Sequence, residues 1–416
     1  MRSDMPWADD PLGWIDPALE DLTAGDLRRE LRHLAGPAGP WVTLEDGRKL
    51  LHLCSNNYLG LATNPRVVAA ARAAVRTYGT GAGASRLVTG GQKIHREFEE
   101  ELAAWKGTGA AVLFSSGYLA NLGVVTALVG AGDTVVSDEL NHASIVDACR
   151  LSRAEVRVYQ HRDFEHAAAL LARAPGRRLL VTDGVFSMDG DLAPLEELCD
   201  AAERHNAALV VDDAHGSAII GPDGRGTAAA LGCEGRVHAV VGTLSKALGS
   251  TGGFVATSRA VAKWLHNRAR PFIFDTAPSG PAIAAAQAAL RIARASPDRR
   301  QRALRLARRL ADGLRAVGVA VNEPEACIVP IPVGDNRGVL DAMEGLVARG
   351  VLVVAIRPPS VPDGTARLRA TVMATHSEAD VELAVSAFAR VLRPALSDPT
   401  RRVAAWEARP WWTREL

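Results

Sequence analysis

Short apolar runs alternate with polar turns and longer amphipathic segments through the middle of the chain. The runs occupy residues 111–114, 134–136, 156–159, 179–182, 208–211 and 239–241, and each ends in polar or glycine-rich sequence. Runs of this length are typical of strands that are buried on both faces, and the helical segments between them favour parallel pairing. The pattern therefore predicts an α/β fold with a mostly parallel central sheet, whose ligands bind at the carboxyl ends of the strands.

The residues before and after this region predict smaller parts. Residues 41–53 alternate as a hairpin, and residues 65–78 and 280–318 are predicted to be helical. We expect an arm and hairpin at 1–57, a large domain at 58–285, a smaller α+β domain at 286–395 and a Trp-rich tail at 396–416. In the arm, a helix is predicted by the apolar stripe Leu19, Leu22, Leu27 and Leu31. After residue 280, a helix is predicted by the stripe Ala303, Ala307, Leu310, Leu314 and Val317.

The composition of the chain argues against several classes of protein. The 416 residues are 48% hydrophobic and 23% charged with a formal net charge of +1, so no basic surface for nucleic acid is indicated. The five cysteines form no CxxC pair, and His161 and His166 are predicted as surface residues rather than metal ligands. The acidic N-terminal sequence lacks the apolar core of a signal peptide, and no apolar run is long enough for a membrane helix. We expect a cytoplasmic protein with reduced thiols, no metal and no membrane partner.

One lysine stands in an unusual setting. Residues 240–253 read VVGTLSKALGSTGG, so an apolar strand breaks into a polar turn that carries Lys246 beside hydroxyls and glycines. Burial lowers the pKa of a lysine, and its neutral amine is a nucleophile that forms Schiff bases. On its own the segment fits a surface lysine better, and the sequence upstream reverses that preference.

The upstream stretch, residues 208–216, reads ALVVDDAHG. It places Asp212 at the carboxyl end of a predicted strand and His215 three residues later. A carboxylate in that position can pair with the cationic ring nitrogen of pyridoxal phosphate, and an imidazole can hydrogen-bond the same ligand. Taken alone, Asp212 fits a helix cap as well as it fits a ligand site. Taken alone, His215 fits a buried core histidine as well as it fits a ligand contact. Together with Lys246 after the next strand, they favour a cofactor site.

Three further segments add candidate ligand contacts. The Ser/Gly turn at 115–118 opens a predicted helix and suits a phosphate, although an ordinary strand–helix turn fits equally well. The glycine-rich stretch 79–91 follows a helix and lacks GK[ST], which favours a loop passing close to a ligand over a nucleotide-binding loop. Arg367 and Arg369 alternate with Leu368, so on a strand both arginines face one way, as a pair suited to a carboxylate.

Taken together, these segments resemble the α-oxoamine synthases, which are pyridoxal-phosphate enzymes of fold type I. The matching segments are SNNYLGL, SSGYLAN, NHASIVDA, DGVFSMDGD, VDDAHG, TLSKALGS and IRPPSVPDGTARLR. The resemblance extends from about Leu27 to about Val391. It implies a fold-type I transferase with a large cofactor-binding domain, a smaller C-terminal α+β domain and a homodimeric assembly.

The resemblance implies a role for each matching position. It implies that Lys246 holds the cofactor covalently, that Asp212 keeps the pyridine nitrogen protonated, and that the catalytic His142 stacks on the ring. It implies that His215, also catalytic, is the partner of the ring phenolic oxygen. Further cofactor and phosphate contacts are implied at Gly117, Tyr118, Ser187 and Thr243, and at Thr276 toward the neighbouring subunit. Substrate contacts are implied at Arg28, Asn56, His142, Ser360 and Arg369, the last as the partner of the amino-acid carboxylate.

The reaction that the resemblance implies is a decarboxylative condensation of L-alanine with a pimeloyl thioester, as in biotin biosynthesis. The segment IRPPSVPDGTARLR points to this member of the family, and the thioester carrier stays open between coenzyme A and a carrier protein. The alternative is a synthase that uses glycine or serine, of the glycine C-acetyltransferase or 5-aminolevulinate synthase type. A Rossmann-type oxidoreductase lacks its GxGxxG fingerprint here, and a non-catalytic cofactor-binding module would keep Lys246 without reacting with any amino acid.

Overall fold

A computed structural model of the chain describes residues 10–396. The predicted Trp-rich tail at 396–416 lies outside the described residues, apart from Leu396, which ends the last helix. Within the described part of the chain, no helix combines the length and the apolar character that crossing a bilayer requires.

The strands of the described residues form three sheets. A seven-stranded sheet has the order β3-β9-β8-β7-β6-β4-β5, and two three-stranded sheets have the orders β10-β13-β12 and β1-β2-β11. The bounds are β1 Trp41–Thr43, β2 Lys49–His52, β3 Ala110–Phe114, β4 Thr134–Asp138, β5 Glu155–Tyr159, β6 Arg178–Asp183, β7 Ala207–Asp212, β8 Ala239–Thr243, β9 Gly253–Thr257, β10 Ile328–Gly334, β11 Val351–Leu352, β12 Val354–Ile356 and β13 Ala366–Thr371.

Helices cover both faces of the large sheet and build the C-terminal part. Several begin at a residue whose side chain accepts a backbone N–H of the first turn, such as Asn64, Ser116 and Ser258. The bounds are α1 Ile15–Ala24, α2 Pro65–Tyr78, α3 Lys93–Lys106, α4 Gly117–Leu128, α5 Ala143–Ser152, α6 Phe164–Ala172, α7 Leu195–Arg204, α8 Thr227–Ala230, α9 Arg259–Arg268, α10 Arg270–Ile273, α11 Gly280–Ala295, α12 Pro297–Ala316, α13 Asn336–Val347 and α14 Glu378–Leu396.

The large sheet confirms the predicted α/β class. Strands β4 to β8 pair in parallel, and β3 runs in the same direction because both β3 and β8 pair antiparallel with β9. Apart from the edge strand β5, in which only Tyr159 is buried, their residues are almost all buried, which explains the continuous apolar runs in the sequence. Because six strands share one direction, their carboxyl ends meet at one edge of the sheet.

The C-terminal part has its own apolar core. Buried side chains of α12, α13 and α14 pack on β10 and β13, joined by Leu51 and Leu53 from the N-terminal hairpin region. Strand β2 pairs in parallel with β11, so the hairpin is part of this smaller unit. The boundary expected at residue 286 falls inside α11, whose buried residues join the core that α2 and α3 form with the large sheet.

Two local features differ from the expectation and a third is confirmed. Helix α1 ends before Gly25, so Leu27 and Leu31 lie beyond it, and none of its residues is buried. The glycine-rich stretch, expected as a loop, contains a π-helical turn at Arg86–Gly90, in which Arg86 pairs with Glu99. The segment 280–318 is helical to Ala316 as predicted, and it is divided into two helices because Pro297 starts a new helix and has no N–H with which to continue the previous one.

Candidate active site

The carboxyl edge of the large sheet gathers the predicted catalytic side chains. Asp212 ends β7, and His215 follows it in the next turn. Lys246 lies three residues after β8, and His142 caps α5 just beyond β4. Three parallel strands of one sheet, β4, β7 and β8, bring these groups to the same edge, which is why His142 and Lys246, 104 positions apart in the chain, influence each other electrostatically.

Lys246 is a half-buried lysine with a histidine as its hydrogen-bond partner. Its Nζ lies 2.8 Å from Nε2 of His215. Loss of hydration lowers the pKa of Lys246 to about 8, against the opposing influence of the carboxylates of Asp212 and Asp183. At pH 7 about a tenth of the amine is therefore neutral, far more than for a lysine of ordinary pKa, and the neutral form is the one that acts as a nucleophile and a base.

Asp212 is a buried carboxylate that is held on both oxygens. Its Oδ1 accepts a hydrogen bond from the backbone N–H of Ala214 at 2.9 Å, and its Oδ2 accepts one from Nδ2 of Asn121 at 2.6 Å. Asn121 also donates to Oγ of Ser144 at 2.9 Å, while its own Oδ1 is buried and has no hydrogen-bond partner. The sequence reasoning did not identify Asn121 as a site residue, although it lies within the quoted segment SSGYLAN.

The two histidines are neutral hydrogen-bonding groups. Burial lowers the pKa of His215 well below its usual value, and the nearby Lys246 lowers it further. Its Nδ1 lies 2.7 Å from Oη of Tyr58. Burial also lowers the pKa of His142, whose Nδ1 lies 2.7 Å from Oγ of Ser144. The backbone N–H of His142 donates to Oδ2 of Asp183 at 2.7 Å, which fixes the start of α5.

Small and polar residues surround the N-terminus of α4. Oγ1 of Thr243 lies 2.7 Å from Oγ of Ser245, and a Cβ on Gly117 would lie 3.2 Å from Cβ of Thr243. Gly253 packs directly on the backbone of this turn, where a Cβ would lie 2.5 Å from N of Gly117. The first turn of a helix carries N–H groups without intrahelical partners and a partial positive charge, which together suit a phosphate.

Arg369 forms a second cationic position beside Lys246. It is buried on β13, and its Nε donates to the backbone O of Ser187 at 2.6 Å. Nη1 and Nη2 both lie 3.3 Å from Oδ1 of Asn56. Arg367 pairs instead with Asp189 at 2.6 Å, so the two arginines face the large sheet but have different partners.

The other residues implied by the resemblance lie at the exposed border of this cluster or apart from it. Ser360 is exposed and lines the same cleft as His142 and Ser187. Arg28 is exposed, and its backbone O accepts a hydrogen bond from Arg357. Thr276 is exposed and forms an isolated bridge with Ser85. Tyr118 is 40% exposed, and its ring lies edge-on to that of His142 with the centroids 6.4 Å apart.

A buried ion pair supports the loop that follows Asp212. Nζ of Lys106 lies 2.9 Å from Oδ2 of Asp213, 2.8 Å from Oγ of Ser217 and 2.7 Å from the backbone O of Arg225. Oδ1 of Asp213 accepts hydrogen bonds from Thr227. Lys106 is distant in sequence and is not predictable as a support of this loop from local pattern.

His161 differs from its predicted place on the surface. It is half-buried, with Nδ1 3.1 Å from Oδ1 of Asp138 and Nε2 2.9 Å from Oδ2 of Asp191. Among the described residues, no group of three or more His, Cys, Asp or Glu side chains is arranged to hold a metal ion.

The donor set fits pyridoxal phosphate. A lysine amine with a lowered pKa suits its aldehyde, the held carboxylate of Asp212 suits its ring nitrogen, and the α4 N-terminus suits its phosphate. Beside Asp212, the buried Oδ1 of Asn121 has no hydrogen-bond partner and is a further acceptor for a ligand. The glycine at position 117 leaves space where a Cβ would contact Thr243.

Comparisons with known proteins agree with this interpretation. Residues 48–388 match the family described as aminotransferase class I and II. An 8-amino-7-oxononanoate synthase of Anaeromyxobacter dehalogenans is 50% identical over 382 residues, which is 92% of this chain and 96% of that protein. One of Geobacter sulfurreducens is 50% identical over 378 residues, covering 90% of this chain and 96% of that protein.

Solved structures share the whole fold. A serine palmitoyltransferase from S. paucimobilis with a bound PLP–myriocin aldimine is 31% identical with a TM-score of 0.89, covering 94% of this chain and 100% of that chain. An 8-amino-7-oxononanoate synthase from Francisella tularensis is 24% identical with a TM-score of 0.72, covering 83% of this chain and 99% of that chain. The latter likeness shows the fold alone.

Proposed function

This chain belongs to the aminotransferase class I and II family, among its 8-amino-7-oxononanoate synthases, and we propose that it condenses L-alanine with a pimeloyl thioester in biotin biosynthesis. It is a pyridoxal-phosphate enzyme of the acyltransferase type. The observation that carries the proposal is the placement of Lys246, whose amine lies 2.8 Å from Nε2 of His215 and whose pKa is lowered by burial to about 8 against the opposing charge of Asp212.

The reaction forms one C–C bond, breaks a C–S and a C–C bond, breaks and re-forms the α C–H bond of L-alanine, and takes up one proton to give the free thiol. The Cα of L-alanine bonds to the thioester carbonyl carbon, the C–S bond breaks, and the carrier leaves as a thiol. The bond from Cα to the carboxylate breaks to release carbon dioxide, and a proton returns to the same carbon to give 8-amino-7-oxononanoate. When bound, pyridoxal phosphate supplies the electron sink for the charge that develops at Cα.

The position of each residue in the site suggests which part of the cofactor it would bind. Lys246 would hold the cofactor, Asp212 would keep its ring nitrogen protonated, and the turn at Gly117 with Thr243 would hold its phosphate. His142 would cover the ring, beside Tyr118 at the edge of the same cleft. These roles follow from the strand ends on which the groups lie and from the chemistry of each side chain.

The proton transfer is the task of Lys246. Once its amine is free, Nζ removes the α-proton of alanine and later returns a proton to the same carbon. Arg369 and Asn56 would bind the alanine carboxylate, because a buried guanidinium with a neighbouring amide is suited to a carboxylate. Ser187 and Ser360 line the cleft on the side of His142, where we place the acyl chain. Arg28 would contact the substrate from the segment after α1.

We propose further that a second copy of this chain completes the site. Leu87, Val88 and Phe274 are apolar side chains that are 56%, 73% and 68% exposed, and they adjoin the bridge between Ser85 and Thr276. An exposed apolar patch of this kind, on the two segments that contain Ser85 and Thr276, is typical of an interface between subunits. Sedimentation of Val88→Asp should then show monomers, whereas Leu151→Asp, at a 61% exposed leucine on α5, should leave the dimer intact.

The substrate assignment is tested with a panel. The purified holoenzyme is incubated with L-alanine, glycine or L-serine, each with pimeloyl-CoA, acetyl-CoA or palmitoyl-CoA, and products are identified by mass spectrometry. We expect 8-amino-7-oxononanoate from the alanine and pimeloyl pair, and faster turnover there than with any other pair. Preference for glycine or serine would support the related synthases instead. Lys246→Ala should form no product, while Lys263→Ala, an exposed lysine on α9, should behave as the wild type.

A further inference from the structure

Asn141 is a buried asparagine in the loop between β4 and His142. It is 3% exposed. Its Nδ2 donates to Oγ of Ser137 and to the backbone O of Val181, both at 2.9 Å, and its Oδ1 accepts the backbone N–H of Asp183 at 2.7 Å. These backbone partners fix the orientation of the side-chain amide, because a carbonyl oxygen can only accept a hydrogen bond and an N–H can only donate one.

The side-chain amide takes the place of a peptide group between β4 and β6. The two strands pair in parallel as far as Ser137, which lies opposite Val181. In a parallel ladder, a residue opposite Thr182 would donate its N–H to the O of Val181 and accept the N–H of Asp183. The side chain of Asn141 makes these two hydrogen bonds instead. The main chain of β4 can therefore leave the sheet while both buried backbone groups of β6 keep their partners.

His142 follows Asn141 directly and is bonded to the same strand end. Its backbone N–H donates to Oδ2 of Asp183 at 2.7 Å, so Asp183 bonds two consecutive residues, through its own N–H and through its carboxylate. In the register of β6 and β7, Asp183 lies opposite Asp212. The loop that carries the imidazole of His142 is thus attached at two points beside the strand end that carries Asp212.

We propose that Asn141 is a positioning residue of the site, which holds the imidazole of His142 where it can cover the ring of the cofactor. This inference rests on the proposed function, since it takes His142 as the group that covers the ring. Stacking between two rings depends on their separation and offset. Without the amide of Asn141, one of the two attachments is lost and the imidazole can shift. Lys246 and Asp212 follow β8 and β7, so their positions do not depend on this loop.

The test is a double-mutant cycle on the dissociation constant for pyridoxal phosphate. Cofactor-free wild type, Asn141→Ala, His142→Ala and the double variant are each titrated by absorbance. We expect Asn141→Ala to raise the dissociation constant about three- to tenfold, which is the range that one aromatic stacking contact provides. In the His142→Ala background the same substitution should raise it less than twofold, because the ring through which Asn141 acts is absent.

A spectroscopic measurement and a matched control separate positioning from a general loss of stability. The visible circular dichroism of the bound cofactor should decrease in Asn141→Ala toward the signal of His142→Ala, and the double variant should show no further decrease. The control is Asn64→Ala, which removes the hydrogen bond that Oδ1 of Asn64 accepts from the N–H of Arg66 at the start of α2. This variant should lose stability but keep the dissociation constant and the dichroism of the wild type.

A second variant keeps the test decisive if Asn141→Ala does not fold. Asn141→Ser takes its place in the same cycle, because its small hydroxyl leaves room for a water to reach the backbone of β6. Equal increases of the dissociation constant with and without the imidazole of His142 would overturn the proposal, as would an unchanged constant and dichroism in the Asn141 variant. Wild-type protein that forms no product with any substrate pair would instead contradict the proposed function, while the cycle would still decide the role of Asn141.

Discussion

Nδ2 of Asn121 lies 2.6 Å from Oδ2 of Asp212, and this contact aims a carboxylate that a strand end alone would leave free to rotate. Replacing Asn121 with alanine removes this hydrogen bond. A hydrogen bond to a charged group contributes about 1.5–3 kcal/mol, so turnover should fall roughly 10- to 100-fold. Steady-state kinetics of Asn121→Ala measure this, with Asn267→Ala, an exposed asparagine on α9, as the control. Equal kinetics for the two variants would remove Asn121 from the site.

The buried pair of Lys106 and Asp213 should matter mainly for stability. Their side chains are only 2% and 1% exposed, so Lys106→Met leaves an uncompensated buried carboxylate that costs about 3–5 kcal/mol. Lys93 pairs with Glu97 on the surface, and Lys93→Met should change the free energy of unfolding by less than about 1 kcal/mol. Urea unfolding of the cofactor-free proteins compares the two. A similar small effect in both would contradict the supporting role of Lys106.

His161 should make the free energy of unfolding decrease as the pH rises into the alkaline range. Burial opposes its charge, but hydrogen bonds to Asp138 and Asp191 raise its pKa to about 10. Because the folded-state pKa lies above the unfolded value of about 6.5, the stabilisation is fully present below that pH. It is lost as the pH rises from about 6.5 through 10.

The measurement for His161 is the free energy of unfolding in urea at pH 6, 8 and 9.5. Wild-type protein should lose stability across this range more steeply than His161→Gln. The exposed His33 serves as the control, and His33→Gln should follow the wild-type curve. Parallel curves for wild type and His161→Gln would show that the imidazolium is not held by its two carboxylates.

The backbone around the α4 N-terminus should tolerate no side chain at Gly253. A Cβ there would lie 2.4 Å from the backbone C and O of Ser116 and 2.5 Å from N of Gly117. Gly253→Ala should therefore displace the turn and raise the dissociation constant for pyridoxal phosphate roughly tenfold or more, since helix-terminus charge interactions reach about 2 kcal/mol. Absorbance titration of cofactor-free protein measures it. Gly36→Ala has nothing within 4 Å of the new Cβ and should bind normally; equal affinities would contradict the phosphate assignment.

The central sheet and the position of the proposed catalytic residues at its carboxyl edge were predictable because their signals are local. Continuous apolar runs identify buried strands, and polar residues directly after a run mark the ligand edge of a parallel sheet. Lys246, Asp212 and His215 each follow such a run within a few residues. Pro65 with Asn64 before it likewise predicts the helix start that the structure shows.

The residues that hold these groups were not predictable in this way, because their partners are distant in sequence. Asn121 is 91 positions from Asp212, Lys106 is 107 from Asp213, and Tyr58 is 157 from His215. Tyr58 and Asn121 do lie in segments shared with the α-oxoamine synthases, which is the one signal that marks them. The partner of Arg367, Asp189, became evident only when the two parts of the chain were seen packed together.

The most direct test of the central claim follows the carboxylate of the amino acid. Holoenzyme is given L-[1-¹³C]alanine and pimeloyl-CoA, and ¹³CO₂, free thiol and 8-amino-7-oxononanoate are quantified together. The account predicts one ¹³CO₂ for each thiol and each product molecule, no release without the thioester, and none from Lys246→Ala. Release that needs no thioester, or that persists in Lys246→Ala, would contradict it.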